Sequence, residues 1–179
     1  MNNEYKHKPD MVFKIRALSD EQDDFVREYE VPADVDLLQL HDFLCNELGY
    51  DASGFSSFFA ADEAWRKHRE YTLMDMADDS FGVDAQPMEG NTLKALIADG
   101  HSRLVFVFDQ LSGRALYLEI AGLKKAEDDT VYPRTTLAEG NPPAQTDMLL
   151  DEEDDPFGDM MEEFADFEGT EDNGFDYDD

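Results

Sequence analysis

Beyond Arg134 the chain contains no lysine or arginine, although it continues to Asp179. Seventeen of its 44 acidic residues, from Glu139 onward, lie in that stretch, whereas all 14 basic residues lie at or before Arg134. The net charge of −30 is therefore divided unevenly: about −13 falls on the first 134 residues, an ordinary value for a folding body, and the rest on a uniformly acidic end. A surface of this sign repels phosphate and anionic lipid. It excludes the electrostatic footprint of a general DNA or RNA binder and points to basic or metallic partners.

Cysteine is equally scarce. Cys45 is alone, which excludes an internal disulfide and a multi-cysteine zinc cluster and fits a reducing cytoplasm. No segment approaches the roughly 18 consecutive apolar residues of a membrane span, and MNNEYKHKPD at the start has no apolar run of the kind an export leader needs. The expectation is a soluble, unexported, cytoplasmic protein without a membrane role. No glycine-rich phosphate loop, HExxH, CxxC or GxSxG occurs, and no internal repeat is evident, so motifs assign neither catalysis nor a cofactor.

What is present reads as one domain followed by an acidic end, since 179 residues minus such an end support a single core. In MVFKIRAL, Phe13, Ile15 and Ala17 share one face of a strand and Lys14 and Arg16 the other. FVREYEV continues the pattern with Glu28 and Glu30 outward, which predicts a hairpin with Lys and Arg facing Glu across the strands. After Pro32, Asp36 and Gln39 form a capping box. It opens a helix whose stripe is Leu37, Leu40, Leu44 and Leu48 and whose stop is Gly49. FSSFFAA and REYTL read as two further strands, joined by a connection that contains Trp65. Residues 74–90, without periodicity, read as a long acidic loop.

A second helix starts at Asn91 or Thr92, presents Leu93, Leu96 and Ile97, and stops at Gly100. RLVFVFD then reads as a strand buried on both faces, returned through QLSG into RALYLEIAGL. The expected fold is α+β: a mainly antiparallel sheet of about six strands with two flanking helices and a disordered acidic C-terminal tail. The expected divisions are a disordered N-terminus at 1–10, the domain at 11–123, a linker at 124–145 that includes the NPP of 141–143, and the tail at 146–179.

The order Leu37, Leu38, Gln39, Leu40, His41, then Gly49 and Tyr50, then FSSFF, LKALI, VFVFD and RALYLE resembles the plasmid ORF-3-like family over roughly residues 11–123. The resemblance implies an α+β sheet with flanking helices and brings no established reaction. That family has aspartate, glycine and aspartate around a turn, followed by Trp and His. This chain reads Asp109, Gln110, Leu111, Ser112, Gly113, Arg114 there. Asp109 and the downstream Glu119 carry over; the family's His has no match.

Three constellations remain. His41 and Cys45 lie four apart on one helix face, a spacing open to a Cys/His pair, but the apolar stripe beside them makes packing the expectation. His7, His68 and His101 share no spacing and read as surface residues, and no metal site is expected. Asp109, Arg114 and Glu119 around the last hairpin are the ligand-binding candidates, with fastening of the turn as the plainer role.

In the tail, Phe157, Met160, Met161, Phe164 and Phe167 fall mostly on one side if the segment becomes helical, with carboxylates over the rest. Such a segment suits a protein partner with a basic or apolar groove; a purely solvating tail and a helix folded back on its own domain are the other readings. The expected function is a non-catalytic cytoplasmic interaction or regulatory module without cofactor or direct nucleic-acid contact. The alternatives are a DNA-mimicking acidic protein that occupies a basic nucleic-acid-binding surface, and a small enzyme with a site near Asp109, Arg114 and Glu119.

Overall fold

The computed structural model describes residues 8–74 and 85–146. Residues 1–7 of the expected disordered start, His7 among them, and the tail candidates from Phe157 to Phe167 lie outside the described residues, whereas residues 8–10 of that start lie against the body, where the Asp10 carbonyl accepts from the Ala126 N–H at 2.9 Å. The elements run β1 (Met11–Ser19), β2 (Val26–Pro32), α1 (Leu37–Leu48), β3 (Ser57–Ala61), β4 (Lys67–Thr72), β5 (Ala85–Pro87), α2 (Leu93–Ala98), β6 (Arg103–Asp109), β7 (Arg114–Lys125) and β8 (Arg134–Glu139). The strands form one sheet in the order β5-β4-β3-β6-β7-β1-β2-β8, antiparallel except for the β4/β5 pair. The class is the α+β fold expected, with all six expected strands and both helices present.

Helix α1 forms where its capping box and leucine stripe place it. Asp36 accepts from the Gln39 backbone N–H at 2.9 Å, Gln39 returns a side-chain bond to the Asp36 N–H at 3.0 Å, and Gly49 closes the helix at φ 73°. Leu37, Leu40, Leu44 and Leu48 are all buried. At about 1.5–3 kcal/mol each, their transfer from water is what holds the helix on the sheet, because an isolated helix this short is marginal in water. Both helices cover the same face, where their side chains join Phe13, Ile15, Phe58, Leu104, Phe106, Leu116 and Leu118 in the main core.

Among the described residues the opposite face carries no helix. There Val105, Val107, Ala61 and Ala115 are covered by Phe59, Trp65 and Tyr117, so β6 is buried on both sides as its unbroken apolar run requires. Farther along this face the β1/β2 register sets Lys14 opposite Glu30 and Arg16 opposite Glu28, the expected charge pairing. Arg16 and Glu28 approach to 3.9 Å. Glu30 instead engages Lys124 at 2.5 Å and Arg134 at 2.7 Å.

Three features depart from the sequence reading. Residues 85–87, expected within a loop, form β5, a strand of three residues that is too short to show any period. Strand β7 runs to Lys125, past the expected domain end. Residues 134–139, expected within a linker, form edge strand β8 against β2. The sequence of β8 alternates weakly, and what fixes it is distant. Arg134 reaches the buried Glu30, while Arg27 donates to the carbonyls of Glu139 at 2.6 Å and Gly140 at 3.1 Å.

The chain continues past β8 in contact with the body. Gly140 has φ 65°, and a Cβ there would collide with the backbone of Asp24 and Phe25, so only glycine lets the chain turn at this point. Tyr50 then donates to the Pro143 carbonyl at 2.6 Å, and burial keeps that hydroxyl protonated well above its ordinary range. Gln145 forms a two-point bond with the backbone of Asp51, accepting from its N–H at 2.6 Å and donating to its carbonyl at 2.9 Å.

Candidate functional site

The stretch from Tyr50 to Ser56 links α1 to β3 and is held in shape by its own polar groups. Asp51 accepts from the Ser53 hydroxyl at 2.6 Å and the Ser53 N–H at 2.9 Å, which holds its carboxyl below the ordinary range. At the far end, Ser56 is tied to His41. This loop stands over the end of the sheet where β3 begins and β4 finishes. The result is a cavity of about 510 Å³ lined by Ser53 to Ser56, Glu70, Thr72, Leu73, Met74, Ala85 and Gln110. The apolar part comes from Phe55, Leu73, Met74 and Ala85. Phe55 is 82% exposed and Met74 is 67% exposed, so the rim presents apolar surface to solvent.

Most polar side chains of the wall are already engaged. The Ser53 hydroxyl goes to Asp51, Thr72 Oγ1 donates to the Met74 carbonyl at 2.5 Å, and Gln110 Nε2 donates to Ser57 Oγ at 2.6 Å. Glu70 differs: among the described residues its carboxylate has no hydrogen bond or ion pair.

Behind the loop a polar chain runs inward from the exposed Asp42 to the buried His41 and Ser56. His41 Nδ1 is 3.0 Å from Asp42 Oδ1 and Nε2 is 2.8 Å from Ser56 Oγ. The carboxylate only accepts, so Nδ1 carries the hydrogen, and the Ser56 hydroxyl, which can donate or accept, completes the bond at Nε2. Cys45 Sγ is 3.5 Å from the same nitrogen, and the imidazole meets Phe106 edge-on at 5.9 Å. Burial, then the charges of Asp42 and Asp51, push the Cys45 thiol up to about 11. It is a neutral thiol at physiological pH, not a nucleophile. His41 and Cys45 are core residues, and the His41 to Ser56 bond fastens α1 to the start of β3.

Of the hairpin candidates, the fold brings two together and leaves the third apart. Asp109 and Arg114 pair across the β6/β7 turn, with 3.8 Å between Oδ2 and NH1. Asp109 Oδ1 accepts from the N–H groups of Leu111 at 3.1 Å and Ser112 at 3.3 Å, which is the fastening role. Arg114 lies over Phe108 at 5.2 Å and donates to Glu21 at 2.9 Å. Glu119 lies five residues farther along β7, about 17 Å away at strand rise. By alternation it shares a face with Ala115 and Tyr117, whereas Arg114 shares one with Leu116 and Leu118. Its partner is Arg103 at 3.4 Å.

His68 and His101 come within 5.9 Å of each other at ring centres, a proximity their spacing did not suggest. Among the described residues no three His, Cys, Asp or Glu side chains are grouped to hold a metal ion, and no helix is long and apolar enough to cross a membrane.

The sequence reading missed the cavity residues altogether. FSSFF was legible as a strand, but Phe55, the pair Glu70 and Met74, and Gln110 come from three separate stretches and converge only in the fold.

The geometry defines a one-sheet α+β domain covered by helices on one face, with an apolar cavity at one end. Residues 10–172 match the model of the plasmid pRiA4b ORF-3-like proteins, and the chain belongs to that family. The match runs well past residue 123, through β8 and most of the acidic end. In fold the chain is similar to the crystal structure of MM3350, a protein of unknown function from Methanosarcina mazei Go1. The TM-score is 0.59 at 12% identity, over 73% of this chain and 70% of that one. No curated protein matches the chain.

Proposed function

We propose that this chain is a non-catalytic protein-interaction module whose body docks a partner at the cavity between the Tyr50–Ser56 loop and the ends of β3 and β4. The apolar rim formed by Phe55 and Met74 carries this reading, because exposed apolar side chains around a preformed cavity favour a second molecule that covers them. The acidic end supplies a second contact through Phe157, Met160, Met161, Phe164 and Phe167, and its carboxylates speed the approach of a basic partner. The polar groups that a catalytic reading needs are committed elsewhere: Asp109 to its turn, Glu119 to Arg103, and the Cys45 proton to its buried thiol.

Affinity capture tests the proposal with three baits: the full chain, a chain ending at Gln145, and a Phe55→Ser/Met74→Ser variant. A partner held by the full chain and lost by the cavity variant is the expected result. Equal capture by all three overturns it. The net charge of −30 favours a second reading, that of a DNA mimic on a basic nucleic-acid-binding surface. On that reading the captured partner binds DNA, duplex DNA displaces it, and the cavity variant captures it unchanged.

A further inference from the structure

We infer that the cavity takes a partner peptide carrying an apolar side chain beside a cationic one, with the cation held by Glu70. The inference rests on the interaction reading above and adds the chemistry of the occupant. Ser53, Ser56, Thr72 and Gln110 are bonded within the protein, and Glu70 alone among the described lining residues brings a charge without a partner. A peptide that covers the cavity strips water from that carboxylate, a loss that a neutral or acidic occupant leaves uncompensated and a lysine or arginine offsets with a charge-assisted bond. No lysine, arginine or histidine is among the described lining residues to compete for it. The field of a chain with net charge −30 draws the same sign of ligand to the site.

The rim distinguishes a peptide from a small amine. An amine that fits inside about 510 Å³ leaves Phe55 and Met74 bare at the mouth, whereas the residues flanking a peptide anchor lie across them.

Fluorescence anisotropy of the full chain with labelled octapeptides provides the test, using alternating Leu/Lys, Leu/Gln and Leu/Glu sequences at physiological ionic strength. The Leu/Lys peptide should bind most tightly. Glu70→Gln should weaken it roughly tenfold and bring it close to the Leu/Gln peptide. Phe55→Ser/Met74→Ser should weaken both by roughly tenfold or more. Thermal melts confirm that each variant is folded.

Unchanged Leu/Lys affinity in both variants overturns the inference, because the attraction is then diffuse charge. Equal binding of Leu/Lys and Leu/Gln, insensitive to Glu70→Gln, overturns the role of the carboxylate. Hexylamine competing as effectively as the peptide makes this a small-amine site. If no octapeptide binds while capture still depends on the cavity rim, the occupant chemistry is wrong and the interaction reading stands.

Discussion

Arg134 closes on the carboxylate of Glu30 through Nε and NH2, both at 2.7 Å, across 104 residues of sequence. Lys124 approaches the other carboxylate oxygen, so one buried acid on β2 anchors the end of β7 and the start of β8. Removing one partner of such a cluster leaves charges in a place made for both.

Glu30→Gln should therefore destabilise the protein at pH 7 by about 1–3 kcal/mol. Burial opposes the charge on Glu30, but the bonds from Lys124 and Arg134 outweigh it and hold the carboxyl below its ordinary value of 4.5. A depressed carboxylate contributes stability that is fully present above the unfolded value and is lost as pH falls through the folded one. The difference between the two proteins, read from urea unfolding, should shrink from pH 7 toward pH 3. A difference that stays constant with pH would show that the ionised form of Glu30 is not what matters.

Gly140→Ala should cost more stability than Gly113→Ala. Both positions have positive φ, but the space around Gly113 is open while a Cβ at Gly140 meets backbone. The first change adds a collision to a conformational penalty of about 1 kcal/mol, and the second carries the penalty alone. Thermal melts of the two variants give the comparison. Equal shifts would mean that the chain after β8 does not lie against Asp24.

Leu44→Ala should lose about 2–5 kcal/mol, since Leu44 is fully enclosed between α1 and the sheet. Its neighbour Cys45 should react with an aromatic disulfide reagent at pH 8 only as fast as the fold opens. The thiol is raised from an ordinary 9.0 to about 11, so the unfolded chain releases its proton first. That contribution is intact below pH 9 and declines as pH rises through 11. Cys45→Ala should flatten the alkaline limb of the stability curve. Fast labelling of the folded protein would reopen the question of a reactive thiol.

Much of the architecture was legible because local rules and tertiary packing agree. The capping box at Asp36 and Gln39, the stripe from Leu37 to Leu48 and the stop at Gly49 each specify α1 within one stretch of chain, and RLVFVFD announces a strand buried on both faces. The elements missed depend on partners far away. Strand β8 exists through Glu30 and Arg27, and β5 through three backbone pairings with β4. In the same way, Asp109 and Arg114 were legible as a hairpin pair. The opposite facing of Glu119 follows from its odd spacing from Arg114 on one pleated strand, which grouping the three by residue type overlooked.

For the acidic end, replacing Phe157, Phe164 and Phe167 together by Ala should weaken partner capture without changing net charge. Replacing nearby acids by Asn should mainly slow association and flatten its salt dependence. Surface plasmon resonance of the captured partner separates the two effects. A DNA mimic gives the reverse ranking.

The central claim, that the cavity rim is where a partner sits, is tested most directly by a photo-crosslinking amino acid placed at position 74 in the full chain inside cells. Position 131 serves as the control, since Val131 is equally open to solvent and is not among the cavity's lining residues. The account predicts a discrete adduct to another protein from position 74, absent from position 131 and lost with Phe55→Ser. No adduct from position 74, or the same adduct from both positions, would contradict it.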